Sequence, residues 1–186
     1  MDAWSLPTSH TINGTEYAIR SDFRAVLDLL VVLEDAELTD NERGSLAMQI
    51  FYPEFDEMPV SDYEEAAEFL RYFVAGGEHG IQQPSQKLAD WEQDFPIIIS
   101  PVNRVLGFEA RAVEYLHWWT FLAAYAEIGD CYFAQVVSVR KKKLDGKKLE
   151  KWEREFYRRN RAQIDMKSKV TDADIEFLKE LEKGGE

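Results

Sequence analysis

The sequence predicts a mainly α protein: a compact helical domain of about six to seven helices with a short N-terminal β-hairpin. Three observations carry that expectation. Apolar residues recur at three- and four-residue steps, several times behind residues that cap helix starts. One Asn13-Gly14 pair sits between two short runs containing Thr, Ile and Tyr. The 186 residues are 45% hydrophobic and 13% aromatic, and a chain of this length buries about 70% of its extended surface on folding. Residues 1–164 are expected to form one helical domain, with the hairpin at 9–20, and residues 165–186 a short C-terminal extension with a fraying helix.

In chain order, Thr11-Ile12 and Thr15 to Ile19 flank Asn13-Gly14, whose residues tolerate the positive φ of a two-residue turn. Two strands alone are marginal in water, so the hairpin is expected to lie on its own helices. Ser21 is the expected cap of a helix 22–33 that presents Phe23, Val26, Leu27, Leu30 and Leu33 on one side. Thr39 and Glu42 spell a capping box before Leu46, Met48, Ile50 and Phe51, with Pro53 as the stop. Ser61 and Glu64 repeat the box before Ala66, Phe69, Leu70 and Phe73, and Gly76-Gly77 ends that helix.

Residues 78–86 lack periodicity and read as a loop. Asp94 is the expected cap of the next helix, with Pro96 in its first turn, a kink or late start at Pro101 and an end at Gly107. Residues 113–128 form the most apolar helix, closed by Gly129, and Asp130 to Arg140 continue in helical spacing. A charged helix over 147–163 carries the narrow stripe Leu149, Trp152, Phe156 and Gln163 or Ile164, supported by the pairs Glu150/Arg154 and Glu155/Arg159. Ile175, Leu178 and Leu181 mark the last short helix, 171–182.

Charge is distributed unevenly. The 22 Lys and Arg against 35 Asp and Glu give a formal net charge of −13, yet residues 140–169 hold 13 basic and 5 acidic side chains. A basic segment on an acidic body suits a nucleic-acid arm, a dock for an acidic partner, or self-association of tail with body. The single Cys131 excludes an internal disulfide and points to a reducing interior, hence the cytoplasm. Met1 to Pro7 lack a signal-peptide pattern, and the apolar stretch 118–126 is far shorter than the roughly 20 residues that span a bilayer, so no membrane partner is expected.

Candidate chemistry is sparse. Glu114-x-x-His117 matches one half of a two-metal element of ferritin-like bundles, but no second half exists, and His10 and His79 lack that context. A histidine whose ring bonds a carbonyl or carboxylate is the expectation for His117. Cys131 stands beside Asp130 and reads as a small packing residue, because the carboxylate opposes thiolate formation. Phosphate-binding glycine patterns, serine elbows and zinc spacings are absent from the sequence, and the acidic clusters lack calcium-loop order. No cofactor, metal or catalytic residue is therefore expected, and no enzymatic activity.

The string Leu116-His117-Trp118-Trp119-Thr120-Phe121, preceded by Trp91-Glu92-Gln93-Asp94 and followed by 130–140, resembles the gene-product-15 family of tailed bacteriophages. Leu6-Pro7, Asn13-Gly14, Tyr17-Ala18-Ile19 and Ser21-Asp22-Phe23-Arg24 are similar to its opening, so the resemblance runs over roughly 4–163. It departs at Leu106-Gly107-Phe108-Glu109 and at Phe95-Pro96. The resemblance implies a tail-module protein, encoded beside the tail tube and tape measure in phage or prophage genomes, that acts as a tail assembly chaperone. It carries over no catalytic residue.

These readings predict a non-enzymatic chaperone of the host cytoplasm that binds the tape-measure or another tail protein and self-associates as a homo-oligomer. The expected partner contacts are Arg140, Lys147, Lys148, Lys151, Trp152, Phe156 and Arg159, and the expected structural core is Leu116, His117, Trp118, Trp119 and Leu122. Adjacent helical positions differ by about 100°, so Trp118 and Trp119 are either both buried in a central helix, the favoured reading, or one of them reaches a partner. The competing reading is a DNA-binding regulator or packaging factor using a basic helix over 140–161. Nucleic acid is the weaker expectation, because the acidic body repels a polyanion.

Overall fold

The computed structural model describes residues 4–78 and 86–167. Most of the loop expected over 78–86, including His79, and the helix expected over 171–182 lie outside these residues. The protein is mainly helical: a two-stranded antiparallel hairpin precedes eight α-helices among the described residues. Strands β1 (Ser9–Ile12) and β2 (Thr15–Ala18) pair with His10 opposite Tyr17. Asn13 at φ 49° and Gly14 at φ 84° form the turn that the dipeptide predicts.

The hairpin lies on helices of its own chain. Its carrier is α3 (Tyr63–Val74), preceded by a 3₁₀ turn, Val60–Asp62. Asp62 is buried and accepts hydrogen bonds from Asn13 Nδ2 (3.0 Å), the Tyr17 hydroxyl (2.9 Å) and the Ser61 hydroxyl (3.0 Å). The Asn13 bond, ahead of the Tyr17 bond, holds this carboxyl below its ordinary range against the opposing effect of desolvation. Farther along, the His10 ring stacks on Phe69 at 3.8 Å between centroids. Because Ser61 is engaged with Asp62, the capping box expected from Ser61 and Glu64 does not form, and Asp62 is the first residue outside the helix.

Two further boundaries differ from expectation for similar reasons. Helix α1 (Phe23–Leu33) is capped by Asp22, not Ser21: its carboxylate accepts from the Arg24 amide at 3.0 Å, while the Ser21 hydroxyl bonds Tyr115. Helix α4 (Trp91–Leu106) is capped four residues before the predicted cap, by Asp90, which accepts from the Gln93 amide at 2.8 Å. Asp94 instead points inward from the first turns of α4, and the helix runs through both Pro96 and Pro101. As expected, Gly107 ends α4 in the left-handed conformation, and the Thr39/Glu42 box opens α2 (Asp40–Phe51).

The most apolar stretch supplies a shorter helix than predicted. Residues 110–112 make a 3₁₀ turn, residues 113–117 are not helical, and α5 covers only Trp118–Ala126. Glu114 and His117 therefore do not share a helix face. Helix α6 (Tyr132–Leu144) follows, opened by Cys131, whose sulfur accepts from the Ala134 amide. The charged helix predicted over 147–163 is two helices, α7 (Lys151–Arg159) and α8 (Arg161–Ile164), broken at Asn160. The continuous basic helix over 140–161 is likewise absent, because Gly146 at φ 65° ends α6 and Glu150 starts α7.

Packing produces one large cluster and one small one. Phe23, Val26, Phe51, Phe73, Ile98, Val102, Trp118 and Phe121 lie at the centre of the first. Val136, Val139 and Ile164 form the second, against Leu149, Phe156 and Tyr157, with Ile97 touching both. No helix among the described residues is long and apolar enough to cross a membrane.

Candidate functional site

The adjacent tryptophans at the start of α5 have a structural task that the sequence does not display. A helix leaves its last carbonyls without intrahelical donors. Both indole N–H groups supply that need at the end of α3: Trp118 Nε1 donates to the Val74 carbonyl at 3.0 Å and Trp119 Nε1 to the Phe73 carbonyl at 2.8 Å. Trp118 is 1% exposed, which agrees with the buried reading, while Trp119 and Leu122 are half-buried at the rim. The turn after α3 must be glycine for two reasons. Gly76 and Gly77 have φ of 76° and 89°, and a Cβ on them would lie 2.9 Å from Leu122 Cδ2 and Trp119 Cη2 respectively.

His117 locks the same corner. Its Nδ1 accepts the Trp119 amide at 3.0 Å, capping α5, and its Nε2 lies 3.0 Å from the Pro7 carbonyl, so the neutral Nε2–H tautomer satisfies both contacts. Leu116 is buried beside it, and backbone bonds Phe23 N to Leu116 O (2.9 Å) and Trp118 N to Ser21 O (2.8 Å) join the starts of α1 and α5. Burial lowers the His117 pKa from its ordinary 6.5, the Pro7 bond opposing. The unfolded chain therefore binds the proton more readily, so the stability held above about pH 6.5 is lost as pH falls through the folded-state pKa. A urea midpoint that declines as the pH falls below about 6.5, with His117 titrating below 6.5 by NMR, is the expected result; His10, also lowered by burial, is resolved separately in the same spectra.

Arg140 is not a partner contact, which corrects the sequence expectation. It is 2% exposed and meets the fully buried Asp94 in a fork, Nη1 to Oδ2 at 2.6 Å and Nη2 to Oδ1 at 2.9 Å. Its remaining N–H groups go to the carbonyls of Ile164 (2.9 Å), Leu88 (3.0 Å) and Gln163 (2.6 Å), so all five donors have acceptors. Gln163 Nε2 and the Asp90 amide complete the Asp94 carboxylate at 3.0 and 2.9 Å. This ion pair fastens α4, α6 and α8 together. Phe156 is half-buried in the small cluster with its ring edge on Tyr132, and thus contributes packing before any surface.

The other basic residues divide into engaged and free. Lys142 Nζ meets the buried Glu153 at 2.6 Å, and that bond, with the Glu150 amide, holds the Glu153 carboxyl below its ordinary range. Lys143 pairs with Asp165 and lies over the Tyr157 ring at 3.8 Å. Lys147 pairs with Asp145, and Arg159 with Glu155 in the predicted four-residue step. Within the described residues Lys148, Lys151, Arg154 and Arg158 are exposed and make no ion pair. Between Lys148 and Arg154 stands Trp152, 51% exposed on the first turn of α7. The expected contact set therefore reduces to Lys147, Lys148, Lys151, Trp152 and Arg159, with Arg154 and Arg158 added.

Among the described residues no group of three or more His, Cys, Asp and Glu side chains is placed to hold a metal ion. A concavity of about 390 Å³ lies between α1 and α4, with Phe23, Leu27, Val31, Trp91 and Phe95 as its apolar lining and Arg24 and Glu92 among its charged groups.

Neither a curated protein nor a solved structure matches the chain. Residues 4–166 match the family model described as bacteriophage Gp15 protein, a span that takes in the hairpin, the tryptophan corner, the Asp94–Arg140 pair and α7, and the chain belongs to that bacteriophage family.

Proposed function

We propose that this protein is a non-enzymatic tail assembly chaperone that holds the phage tape-measure protein in the host cytoplasm during tail morphogenesis. The observation that carries the reading is Trp152, a large apolar side chain left half in solvent on the same stripe as Leu149 and Phe156, which pack on the small cluster. A tryptophan flanked by cations is the composition of a binding hot spot, where an aromatic anchor supplies burial and surrounding charge sets register. A long helical client offers the matching element, an amphipathic face laid against such a ridge. The acidic body, with 24 Asp and Glu against 7 Lys and Arg over residues 1–139, keeps the loaded complex soluble.

Co-expression with the tape-measure protein of the same genome, followed by affinity capture, tests this. The complex should be recovered from wild type, and Trp152→Ala with Lys151→Glu should reduce the apparent affinity about tenfold or more while leaving the circular dichroism unchanged. Failure of wild type to retain the tape-measure protein at any salt concentration rejects the proposal. DNA retardation that vanishes steeply with added salt would assign the same cations to the regulator or packaging reading instead.

A further inference from the structure

Helix α7 rests on its own chain along one side only. Phe156 and Tyr157 pack on the small cluster, and Glu153 is buried against Lys142. Lys151, Arg154 and Arg158 recur at three- and four-residue steps along one exposed face, with Trp152 beside them and Lys148 just ahead of the helix. None of these four cations makes an ion pair among the described residues. The complement of such a face is an acidic surface with an apolar side chain among its carboxylates.

The same chain carries that surface elsewhere. Residues 52–70 hold seven acidic side chains and no Lys or Arg. Asp62 is buried under the hairpin and Glu65 lies 3.9 Å from His10, whereas Glu54, Asp56, Glu57, Glu64 and Glu68 are exposed and make no ion pair among the described residues. The Phe55 ring stacks on Tyr63 at 4.9 Å between centroids, which sets the 3₁₀ turn Phe55–Glu57 against the start of α3 and joins the two acidic runs. Val60, 78% exposed, stands between them in the chain, and Arg71 is the first cation beyond. This face is built on the hairpin, α2 and α3, while α7 is built on α6 and α8, and no ion pair joins the two within one molecule among the described residues.

We propose that the exposed face of α7 docks on a second copy of this chain, lying across its 54–68 face with Trp152 against Val60. Burial of the indole supplies attraction at the centre, and unpaired cations facing unpaired carboxylates set the orientation. A second copy fits because it brings the missing charge in matching amount, four free cations on one face meeting five free carboxylates on the other. The contact is head to tail, so each pair keeps one α7 and one acidic face unused, and copies add until a ring closes. The inference goes beyond the tape-measure reading and needs no client, although client and second copy would compete for Trp152.

Sedimentation velocity on the purified full chain, with no client present, tests it. At about 0.05 M salt wild type should sediment as species larger than a monomer, and in about 1 M salt, where charges are screened beyond about 3 Å, the association should weaken about tenfold or more. One variant carrying Lys151→Glu, Arg154→Glu and Arg158→Glu, and another carrying Glu57→Lys, Glu64→Lys and Glu68→Lys, should each be monomeric at low salt. Mixed in equal amounts they should associate again, because one keeps the acidic face and the other keeps α7. All six side chains are exposed, so both circular dichroism spectra should match wild type. A wild type that is monomeric at low salt, or an oligomer as stable in high salt as in low, overturns the proposal without any variant. Association that survives either reversal, or reversed forms that stay monomeric when mixed, overturns it as well. Failure to capture the tape-measure protein leaves these masses unaltered, so the two readings fail separately.

Discussion

Arg140→Met should lower the unfolding free energy by about 3–5 kcal/mol, the range for removing one partner of a buried ion pair. The loss is large because the fully buried Asp94 carboxyl is left with only Gln163 and the Asp90 amide beside it. The carbonyls of Leu88 and Ile164 also lose their donor, and that of Gln163 keeps only Gln93 Nε2. Asp94→Leu combined with Arg140→Met removes the stranded carboxylate, so the double variant should recover part of the loss and still fall below wild type, because the Leu88 and Ile164 carbonyls stay unpaired. Urea unfolding of the four proteins measures the cycle. A loss below about 1 kcal/mol for the single variant would show that the pair is not the fastening between α4, α6 and α8.

Trp118→Ala should cost a similar amount, about 3–5 kcal/mol, as expected for truncating a buried aromatic side chain. The indole stacks on Phe121 and meets Trp91 edge to face, so its removal opens a cavity at the centre of the main core. It also leaves the Val74 carbonyl at the end of α3 without its donor. Trp118→Phe fills most of the space but donates nothing, and its smaller loss isolates the hydrogen bond. Trp152→Ala, on the exposed side of α7, should change the same midpoint by less than about 0.5 kcal/mol. Equal losses at 118 and 152 would contradict the assignment of one tryptophan to the core and the other to the surface.

Periodicity and capping made most of the fold legible before any coordinates. The hairpin turn, the Thr39 box, the Gly76-Gly77 and Gly107 stops and the apolar face of α3 depend on neighbours a few residues away, which a sequence displays directly, whereas on α1 the core takes Leu29 and leaves the expected Leu33 exposed. The misplaced starts share one cause. Ser21, Ser61 and Asp94 are all competent caps, yet Tyr115, Asp62 and Arg140 engage them, and two of those partners lie 94 and 46 residues away. Arg140 reads as surface because it begins a basic run, and nothing local reveals that an acid on α4 waits for it. A usable signal existed at Asp94, an acid within the apolar run of α4 that would be left buried without a cation.

The corner made by residues 116–119 ties Pro7, Ser21, Phe23, Phe73 and Val74 together, contacts that cross as many as 110 positions of the chain. During translation the hairpin, α1 and α3 emerge long before that corner does, so their apolar faces must wait unsealed until α5 clears the ribosome. The acidic character of the first 139 residues then has a use during synthesis, since like charges on nascent chains of one polysome keep the half-built cores from sticking to each other.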